Sequence, residues 1–260
     1  KKPLVIDFRD AWTLDPYSIH NWLTKWLGKC MEYWALNACD AFIVTSPSCK
    51  KVYLKKYPFL EKKIHLIPNG FNNELYKDLK NIKLSKTFHL AYAGTFYEGR
   101  AAAILKAIEK AKIPLGLKIY GRIFNSHEFN KSLEERGLAD KVKWEGYLPR
   151  TKLMAELAEA PVLLLTQEFR SKSRISPIAG KTYDYLRLGN PILCLAPKGD
   201  NAEIVQKYSK HSIVITKSDP VAILAAIQKL YKKFKKGEME SSSDPKFLKR
   251  FDRKELTFKL

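Results

Sequence analysis

Two glycine-containing segments carry residues whose types and spacing suit phosphate chemistry. In the first segment, residues 93–100, Gly94 allows the backbone to approach a ligand closely, Thr95 follows it, and Arg100 opens the next helix. Backbone N–H groups together with a guanidinium group suit the oxygens of a diphosphate. The same spacing also fits an ordinary strand-to-helix turn in which Arg100 is merely solvated, and both interpretations stay open here.

The second segment places small residues before a helix with charged side chains. The positions before and at the start of this helix are Ser176, Ile178, Ala179 and Gly180. N–H groups at a helix start can hold phosphate, and Lys181 adds a positive charge. Asp184, one turn further on, has oxygens that can accept hydrogen bonds from ribose hydroxyls. Alternatively, Asp184 only interacts favourably with the helix dipole.

The elements that must position these segments are strands of a parallel sheet. Short apolar runs alternate with longer amphipathic segments, which is typical of an α/β fold with helices on both faces of the sheet. In such a sheet the ligand lies beyond the carboxyl ends of the strands, where both segments are found. Strands are predicted at residues 4–8, 41–45, 63–67, 88–93, 116–120, 141–145, 162–166, 191–195 and 212–215.

The strands divide into a partial set and a complete set. Residues 72–86 are polar, lack periodicity and follow Pro68-Asn69-Gly70, which marks a domain boundary. We therefore predict four segments: a partial N-terminal domain (1–70), a linker (71–86), a complete doubly wound domain (87–240), and a linker with a C-terminal helix (241–260). A first domain of about three strands also predicts that roughly a hundred residues precede this sequence.

Five motifs, taken in order, resemble the family-4 retaining glycosyltransferases, which have two Rossmann-like domains in the GT-B fold. The motifs are ACDAFIVTS at 38–46, IPNGFN at 67–72, YAGT at 92–95, GYLP at 146–149 and GKTYDYLRLGNPI at 180–192. They extend over nearly the whole sequence. The resemblance implies a complete C-terminal Rossmann-like domain that binds the donor, preceded by the last part of an N-terminal domain that binds the acceptor.

The resemblance also implies roles for single residues. Gly94, Thr95 and Arg100 match the diphosphate region, the backbone around Tyr147 and Leu148 matches the nucleobase site, and Asp184 matches a ribose-binding glutamate. Asp10, after the first strand, is expected to reach the transferred sugar. The sequence departs from the family at Ser176, where many members have a glutamate that contacts the donor sugar. The usual Arg and Lys pair at the diphosphate is reduced to Thr95 and Arg100, and Lys181 is a candidate substitute.

The implied reaction transfers a sugar from a nucleoside diphosphate to an acceptor with retention, in cell-surface polysaccharide or glycolipid synthesis. Neither a cofactor nor a metal ion is expected, since Arg100, Lys181 and the helix start at 178–180 would stabilise the leaving group. The 260 residues alone are expected to be inactive. Two alternatives stay open: a nucleotide-sugar epimerase of the same fold, which needs no acceptor, and a non-catalytic nucleotide-binding protein.

Composition limits the partners and the compartment. The net charge of +20 is spread along the chain, with 15 Lys and Arg against 8 Asp and Glu in residues 1–87, so a nucleic-acid groove is not indicated. The four cysteines form no C-x-x-C pair and favour a reducing, cytoplasmic compartment. The five histidines are scattered without the spacing of metal ligands.

One segment bears on the acceptor. Residues 20–39 form a predicted helix in which Trp22, Trp26 and Trp34 alternate with Lys25 and Lys29. Aromatic and basic residues together are favoured at membrane interfaces, which predicts peripheral contact with the inner face of the cell membrane and a lipid-linked acceptor. The alternative is a helix that packs on the core and exposes ordinary lysines.

Overall fold

The chain folds into two α/β units, of which the first contains a small parallel sheet. The computed structural model describes residues 2–14, 21–79, 82–169 and 175–259, and for residues 98–100 it describes the backbone alone. The first sheet consists of β1 (Val5–Phe8), β2 (Ala41–Val44) and β3 (Ile64–Leu66) in the order β1-β2-β3, and all pairings are parallel. We call this sheet and its helices the first unit.

Two helices cover the first sheet, and both begin at a polar capping residue. In α1 (Trp22–Ala38) the Asn21 side chain accepts a hydrogen bond from the Thr24 N–H. In α2 (Pro47–Lys56) the Ser46 side chain accepts a hydrogen bond from the Cys49 N–H. Pro47 occupies the first helical position, where an N–H group would have no partner within the helix. The core between sheet and helices is apolar and aromatic, with Leu36, Phe42, Val44, Tyr53 and Leu60 fully buried.

The second unit is built on six parallel strands. They are β4 (His89–Ala93), β5 (Gly116–Tyr120), β6 (Val142–Gly146), β7 (Val162–Thr166), β8 (Ile192–Leu195) and β9 (Ile213–Ile215), in the order β6-β5-β4-β7-β8-β9. The strand order therefore reverses at β4, which pairs with both β5 and β7. A crevice opens at the carboxyl ends of the strands on either side of such a reversal, and ligands bind there.

Helices cover both faces of this sheet, so its central strands β4 and β7 are apolar over most of their length. The helices are α3 (Glu98–Lys110), α4 (Ser126–Glu135), α5 (Arg150–Glu159), α6 (Gly180–Leu188), α7 (Asp200–Tyr208) and α8 (Pro220–Lys235). Leu90 of β4 points into the core with α3 and α8, while its neighbour Ala91 points into the core with α5, α6 and α7. This alternation explains why β4 and β7 read as continuous hydrophobic runs.

The C-terminal residues form two short helices, of which the first packs into the core of the second unit and the second reaches the first unit. These are α9 (Pro245–Phe251) and α10 (Arg253–Thr257). Between them Asp252 is extended and pairs with Phe71, while its side chain caps α10. Leu256 of α10 then packs with Ile43 and Ile67 of the first unit. A Cβ added to Gly70 would lie 2.2 Å from the Phe251 carbonyl oxygen, so glycine permits this crossing.

The sequence predicts this architecture well. The α/β fold and all nine strands are confirmed, each strand to within one residue at either end. The single helix predicted near the C-terminus differs from the structure, because the pairing of Asp252 with Phe71 interrupts it. The aromatic residues Phe71, Tyr76, Phe247 and Phe251 also pack into the core of the second unit, although they lie outside the predicted segment 87–240.

Candidate functional site

A cavity of about 350 Å³ lies at the carboxyl ends of the strands where the order reverses. Its walls come from the loops after β4, β5 and β6 and from the start of α6. The predicted site residues that line it are Gly94, Tyr147, Leu148, Gly180, Lys181 and Asp184. The fold thus brings together two segments that are more than 80 residues apart in sequence.

The loop after β4 requires glycine for its backbone conformation. Gly94 has a φ of +121°, which side chains disfavour, and a Cβ there would lie 3.1 Å from Lys181 Nζ. Gly121, after β5, has a φ of +116°, and a Cβ there would lie 2.8 Å from the Gly94 carbonyl oxygen. Thr95 is half-buried beside this loop, and its carbonyl oxygen accepts a hydrogen bond from the Tyr92 hydroxyl at 2.8 Å.

The start of α6 presents positive charge to the cavity. Lys181 Nζ lies 3.7 Å from the centroid of the Tyr92 ring, a cation–π contact that holds the ammonium group near Gly94. Ala179 occupies the N-cap position and makes no side-chain cap hydrogen bond. The first N–H groups of a helix without such a cap remain suited to an anionic ligand.

Asp184 is held by two side chains from other elements. One carboxylate oxygen accepts from the Tyr76 hydroxyl at 2.6 Å, and the other accepts from Arg150 Nη2 at 2.5 Å. Burial, with the charge of Asp184, raises the pKa of Tyr76, so this phenol stays protonated and donates. Asp184 lies beyond the first turn of α6, where interaction with the helix dipole falls off.

Ser176 and Ile178 lie between the two units, outside the walls of this cavity. The Ser176 N–H donates to Ser48 Oγ of α2 at 2.9 Å, and the Ser48 N–H donates to the Asp200 carboxylate at 2.8 Å. Ser176 Oγ is buried against Gly199, where a Cβ would lie 2.5 Å away. Ile178 lines a separate cavity of about 240 Å³ that also borders Asp200.

Of the other two predicted residues, Asp10 lies outside the cavity lining, and the side chain of Arg100 is not described. Asp10 follows β1, is exposed, and is not among the residues that line the cavity. Arg100 lies in the first turn of α3, and its side chain is outside the described part of the chain. The roles of Asp10 and Arg100 therefore stay predictions.

Three residues that sequence reasoning missed belong to the site. Arg150 and Arg253 line the cavity, and the Tyr76 hydroxyl donates a hydrogen bond to Asp184. Arg253 Nε donates to the Gly70 carbonyl oxygen at 2.9 Å, and Arg253 also lines a neighbouring cavity with Arg9. Arg150 had a sequence signal: it is a cation at the first position of α5, where the helix dipole disfavours it.

The described residues give further limits. No group of three or more His, Cys, Asp or Glu side chains comes together in them in a way that could hold a metal ion. All four cysteines are free thiols. Within the same ranges, every helix is too short or too polar to cross a membrane.

Family models match nearly the whole chain. Residues 1–75 match the model described as Glycosyltransferase Family 4, and residues 74–241 match the model described as Glycosyl transferases group 1. A comparison with curated proteins found no significant match.

Solved structures with the same fold are distant in sequence. Sucrose-phosphate synthase from Thermosynechococcus elongatus superposes with a TM-score of 0.71 at 16% identity, over 98% of this chain and 65% of the synthase. HepE from Anabaena, in complex with UDP and glucose, gives 0.74 at 15% identity, over 99% of this chain and 70% of HepE. A glycosyltransferase from Rickettsia africae superposes with a TM-score of 0.70 at 11% identity, over 98% of this chain and 68% of that protein. The chain thus spans about two thirds of the length of these proteins.

Proposed function

Because the chain belongs to the group 1 glycosyl transferases, we propose that it binds a nucleoside diphosphate sugar and transfers the sugar to an acceptor with retained configuration. The observation that carries the proposal is the charge of the cavity where the strand order reverses. Among the side chains that the structure describes, Lys181, Arg150 and Arg253 line it, and the single lining carboxylate, Asp184, is paired with Arg150. An excess of fixed cations beside a helix start suits a diphosphate.

Known proteins of this fold support the choice of ligand. HepE has been crystallised with UDP-glucose, and an O-GlcNAc transferase of pneumococcus with UDP and GlcNAc. The HepE structure superposes on 99% of this chain and the O-GlcNAc transferase structure on 88% of it. We therefore place the nucleotide of the donor in the cavity between the loop after β4 and the start of α6.

The proposed chemistry requires stabilisation of a leaving nucleoside diphosphate. As the bond between the sugar and the diphosphate breaks, negative charge grows on the phosphate oxygens. Lys181 and the N–H groups at the start of α6 are fixed in advance beside Gly94, so they interact more strongly with that charge than with the intact donor. Arg100 adds a further cation in this proposal, and Asp10 faces the transferred sugar.

The acceptor side of the proposal rests on α1. Trp22, Trp26 and Trp34 are exposed, with Trp22 at 80% and Trp34 at 75%, and Lys25 and Lys29 are exposed between them. Exposed tryptophans beside lysines suit the headgroup region of an anionic membrane. We propose peripheral contact with the inner face of the cell membrane and an acceptor for polysaccharide or glycolipid synthesis.

The direct test of the proposal is a ligand panel. UDP-, GDP- and ADP-sugars are added to the protein, and the melting temperature is measured, since a ligand that binds the native state raises it. The sugars of one nucleotide are expected to raise the melting temperature more than the others. The corresponding nucleoside diphosphate without a sugar is expected to raise it as well. If no nucleotide changes the melting temperature, the donor assignment is wrong. An isomerised sugar without acceptor would favour the epimerase alternative instead.

A further inference from the structure

We infer that a cavity of about 350 Å³ beside the donor cavity is a second anion subsite, which takes a phosphate or carboxylate group of a substrate. We call it the arginine cavity, because Arg9 and Arg253 line it together with Asn69 and Gly70. The inference rests on the proposed function, because the anionic group belongs to the acceptor or to the transferred sugar. It is separate from the diphosphate, which the proposed function places at the start of α6.

The arginine cavity lies at the ligand-binding edge of the first sheet. Arg9 directly follows β1, and residues 67–70 directly follow β3. Ligands of open parallel sheets lie beyond the carboxyl ends of the strands, and both strands end here. Arg253 of α10 lines the arginine cavity and also the donor cavity, so the two cavities adjoin. A group bound in the arginine cavity therefore lies next to the donor nucleotide, where the reacting sugar and the acceptor have to meet.

The polar side chains of the arginine cavity are mostly hydrogen-bond donors. Arg9 and Arg253 have guanidinium groups, which only donate. Asn69 Oδ1 accepts from Arg9 Nη1 at 2.9 Å, so the amide NH₂ group of Asn69 remains a donor. Thr257, which also lines the cavity, uses its hydroxyl hydrogen on the Arg253 carbonyl oxygen at 2.8 Å. Such a lining is complemented by a ligand group that only accepts hydrogen bonds, as phosphate and carboxylate do.

Positive charge is in excess in the arginine cavity. Among the described residues that line it, two are arginines and none is Asp or Glu. A carboxylate lies nearby, since Asp7 pairs with Arg9 Nε at 3.0 Å, whereas Arg253 Nε donates to the neutral Gly70 carbonyl oxygen at 2.9 Å. Two guanidinium groups that share one cavity repel each other, and an anion bound in the cavity offsets this repulsion.

Both guanidinium groups are held in place and keep donors for a ligand. Arg9 is fixed through Nε by Asp7 and through Nη1 by Asn69, although 55% of its side chain is exposed. Arg253 is fixed through Nε. The hydrogen bonds among the described residues use neither Arg9 Nη2 nor the two Nη groups of Arg253. Guanidinium groups that are fixed in this way bind phosphate or carboxylate with little loss of side-chain freedom.

The test is phosphate binding in the presence of a nucleoside diphosphate. The nucleoside diphosphate that the ligand panel identifies is added at saturation, so that it occupies the donor cavity. Inorganic phosphate is then titrated at constant ionic strength, and its binding is followed by the broadening of its phosphorus NMR resonance. Phosphate is expected to bind beside the nucleotide. If the nucleotide displaces phosphate, or if no binding is seen up to about 50 mM phosphate, the inference is wrong.

Arg9→Gln is the decisive variant, because Arg9 lines the arginine cavity and is not among the residues that line the donor cavity. It is expected to weaken phosphate binding by about tenfold or more, since charge-assisted hydrogen bonds are lost. The affinity for the nucleoside diphosphate should stay within about twofold of wild type. Arg9→Lys keeps the charge but loses the planar fork, so it should recover only part of the binding.

Two further variants keep the result interpretable. Lys254→Gln removes a charge from an exposed position of α10 that lines neither cavity, and it should leave phosphate binding within about twofold of wild type. Arg253→Gln should weaken phosphate binding as Arg9→Gln does, and it replaces that variant if Arg9→Gln does not fold. Equal effects of Lys254→Gln and the two arginine variants would overturn the inference.

A pair of nucleotide sugars identifies the substrate that carries the anionic group. One has a neutral hexose and the other the corresponding uronic acid, on the nucleotide found in the panel. If the acceptor carries the anion, both donors bind within about twofold of each other, and phosphate still binds beside the neutral donor. If the transferred sugar carries it, the uronic acid donor binds about tenfold more tightly, and Arg9→Gln removes this gain. Displacement of phosphate by the neutral donor, without tighter binding of the uronic acid donor, would contradict both versions.

Failure of the inference can be told apart from failure of the proposed function. If no nucleoside diphosphate changes the melting temperature in the panel, the proposed function is wrong. Phosphate is then titrated without nucleotide into Lys181→Gln, in which the donor cavity has lost the lysine beside Gly94. The arginine cavity is supported if adding Arg9→Gln to this variant removes the remaining phosphate binding, and refuted if it changes nothing.

Discussion

At the scale of single residues, Lys181 is the clearest test of where phosphate lies. Its ammonium group is held over Tyr92 and against Gly94, at the cavity wall formed by the loop after β4. Lys181→Gln is expected to weaken binding of a nucleoside diphosphate by about 1.5–3 kcal/mol, the range for hydrogen bonds to charged groups. Binding of the nucleoside should barely change, because it has no phosphate. Both affinities can be measured by titration calorimetry.

The control for this prediction is Lys106→Gln. This substitution removes the same charge from an exposed position on α3. Equal losses for nucleoside and diphosphate with Lys181→Gln would contradict the placement of the phosphates. The same pair of ligands tests Arg100→Ala, for which the sequence predicts loss of the diphosphate alone.

Some residues of the site can be predicted from the sequence, and others cannot. The sequence predicts that Gly94, Lys181 and Asp184 lie at the same edge of the sheet, because the ends of parallel strands and the starts of the following helices are recognisable in sequence. The partners of Asp184 cannot be predicted in this way, because Arg150 lies 34 residues and Tyr76 108 residues away in the chain. Such pairs are created by tertiary packing and leave no local pattern.

At the scale of elements, α1 and α2 are joined by a buried carboxylate. Glu32 of α1 is fully buried and accepts from Lys56 Nζ at 2.8 Å, from Tyr53 and Tyr57 of the same region, and from Thr13. Burial raises the pKa of Glu32, but the hydrogen bonds from Lys56 and Thr13 and the charge of Lys56 outweigh it, so the pKa lies below its usual value. Glu32 therefore stays ionised in the folded protein.

This network predicts a pH-dependent stability. A carboxyl with a lowered folded pKa contributes its full stabilisation above the unfolded pKa of about 4.3, and the contribution is lost as pH falls through the folded value. Glu32→Gln is expected to lower the free energy of unfolding at pH 7 by about 1–3 kcal/mol. The difference from wild type should shrink below about pH 4.3 in urea titrations.

Glu61→Gln, at an exposed position, changes the net charge equally and controls for it. A difference between wild type and Glu32→Gln that grows as the solution becomes more acidic would show that the ion pair does not stabilise the folded chain.

The outer face of α1 gives a second prediction at this scale. The protein is expected to sediment with vesicles of phosphatidylglycerol and phosphatidylcholine at low salt, and a variant with Trp22, Trp26 and Trp34 changed to Ser should lose most of this binding. Lys25→Gln with Lys29→Gln should weaken binding to anionic vesicles more than Lys229→Gln with Lys232→Gln, an exposed pair on α8. Equal sedimentation of all variants would leave α1 without this role.

At the scale of the whole molecule, strands follow from local sequence patterns, whereas the domain limits stay predictions. The nine strands are short apolar runs bounded by polar or glycine-containing turns, so period and composition suffice for them. The predicted domain limits at 87 and 240 depend instead on which helices pack on which sheet. The core of the second unit takes Phe71 and Tyr76 from before that range and Phe247 and Phe251 from after it, a choice that only long-range packing determines.

Phe247 allows a direct measurement of how firmly the C-terminal helices belong to the second unit. It is fully buried, stacks on Phe71 with a centroid distance of 5.6 Å, and contacts Phe251 at 5.0 Å. Phe247→Ala removes a large buried side chain and is expected to cost about 3–5 kcal/mol in urea unfolding. Phe258→Ala removes the same side chain at a position that is 78% exposed, and should stay within about 0.5 kcal/mol of wild type. Equal effects of the two substitutions would mean that α9 is not part of this core and that the predicted limit at 240 is the better boundary.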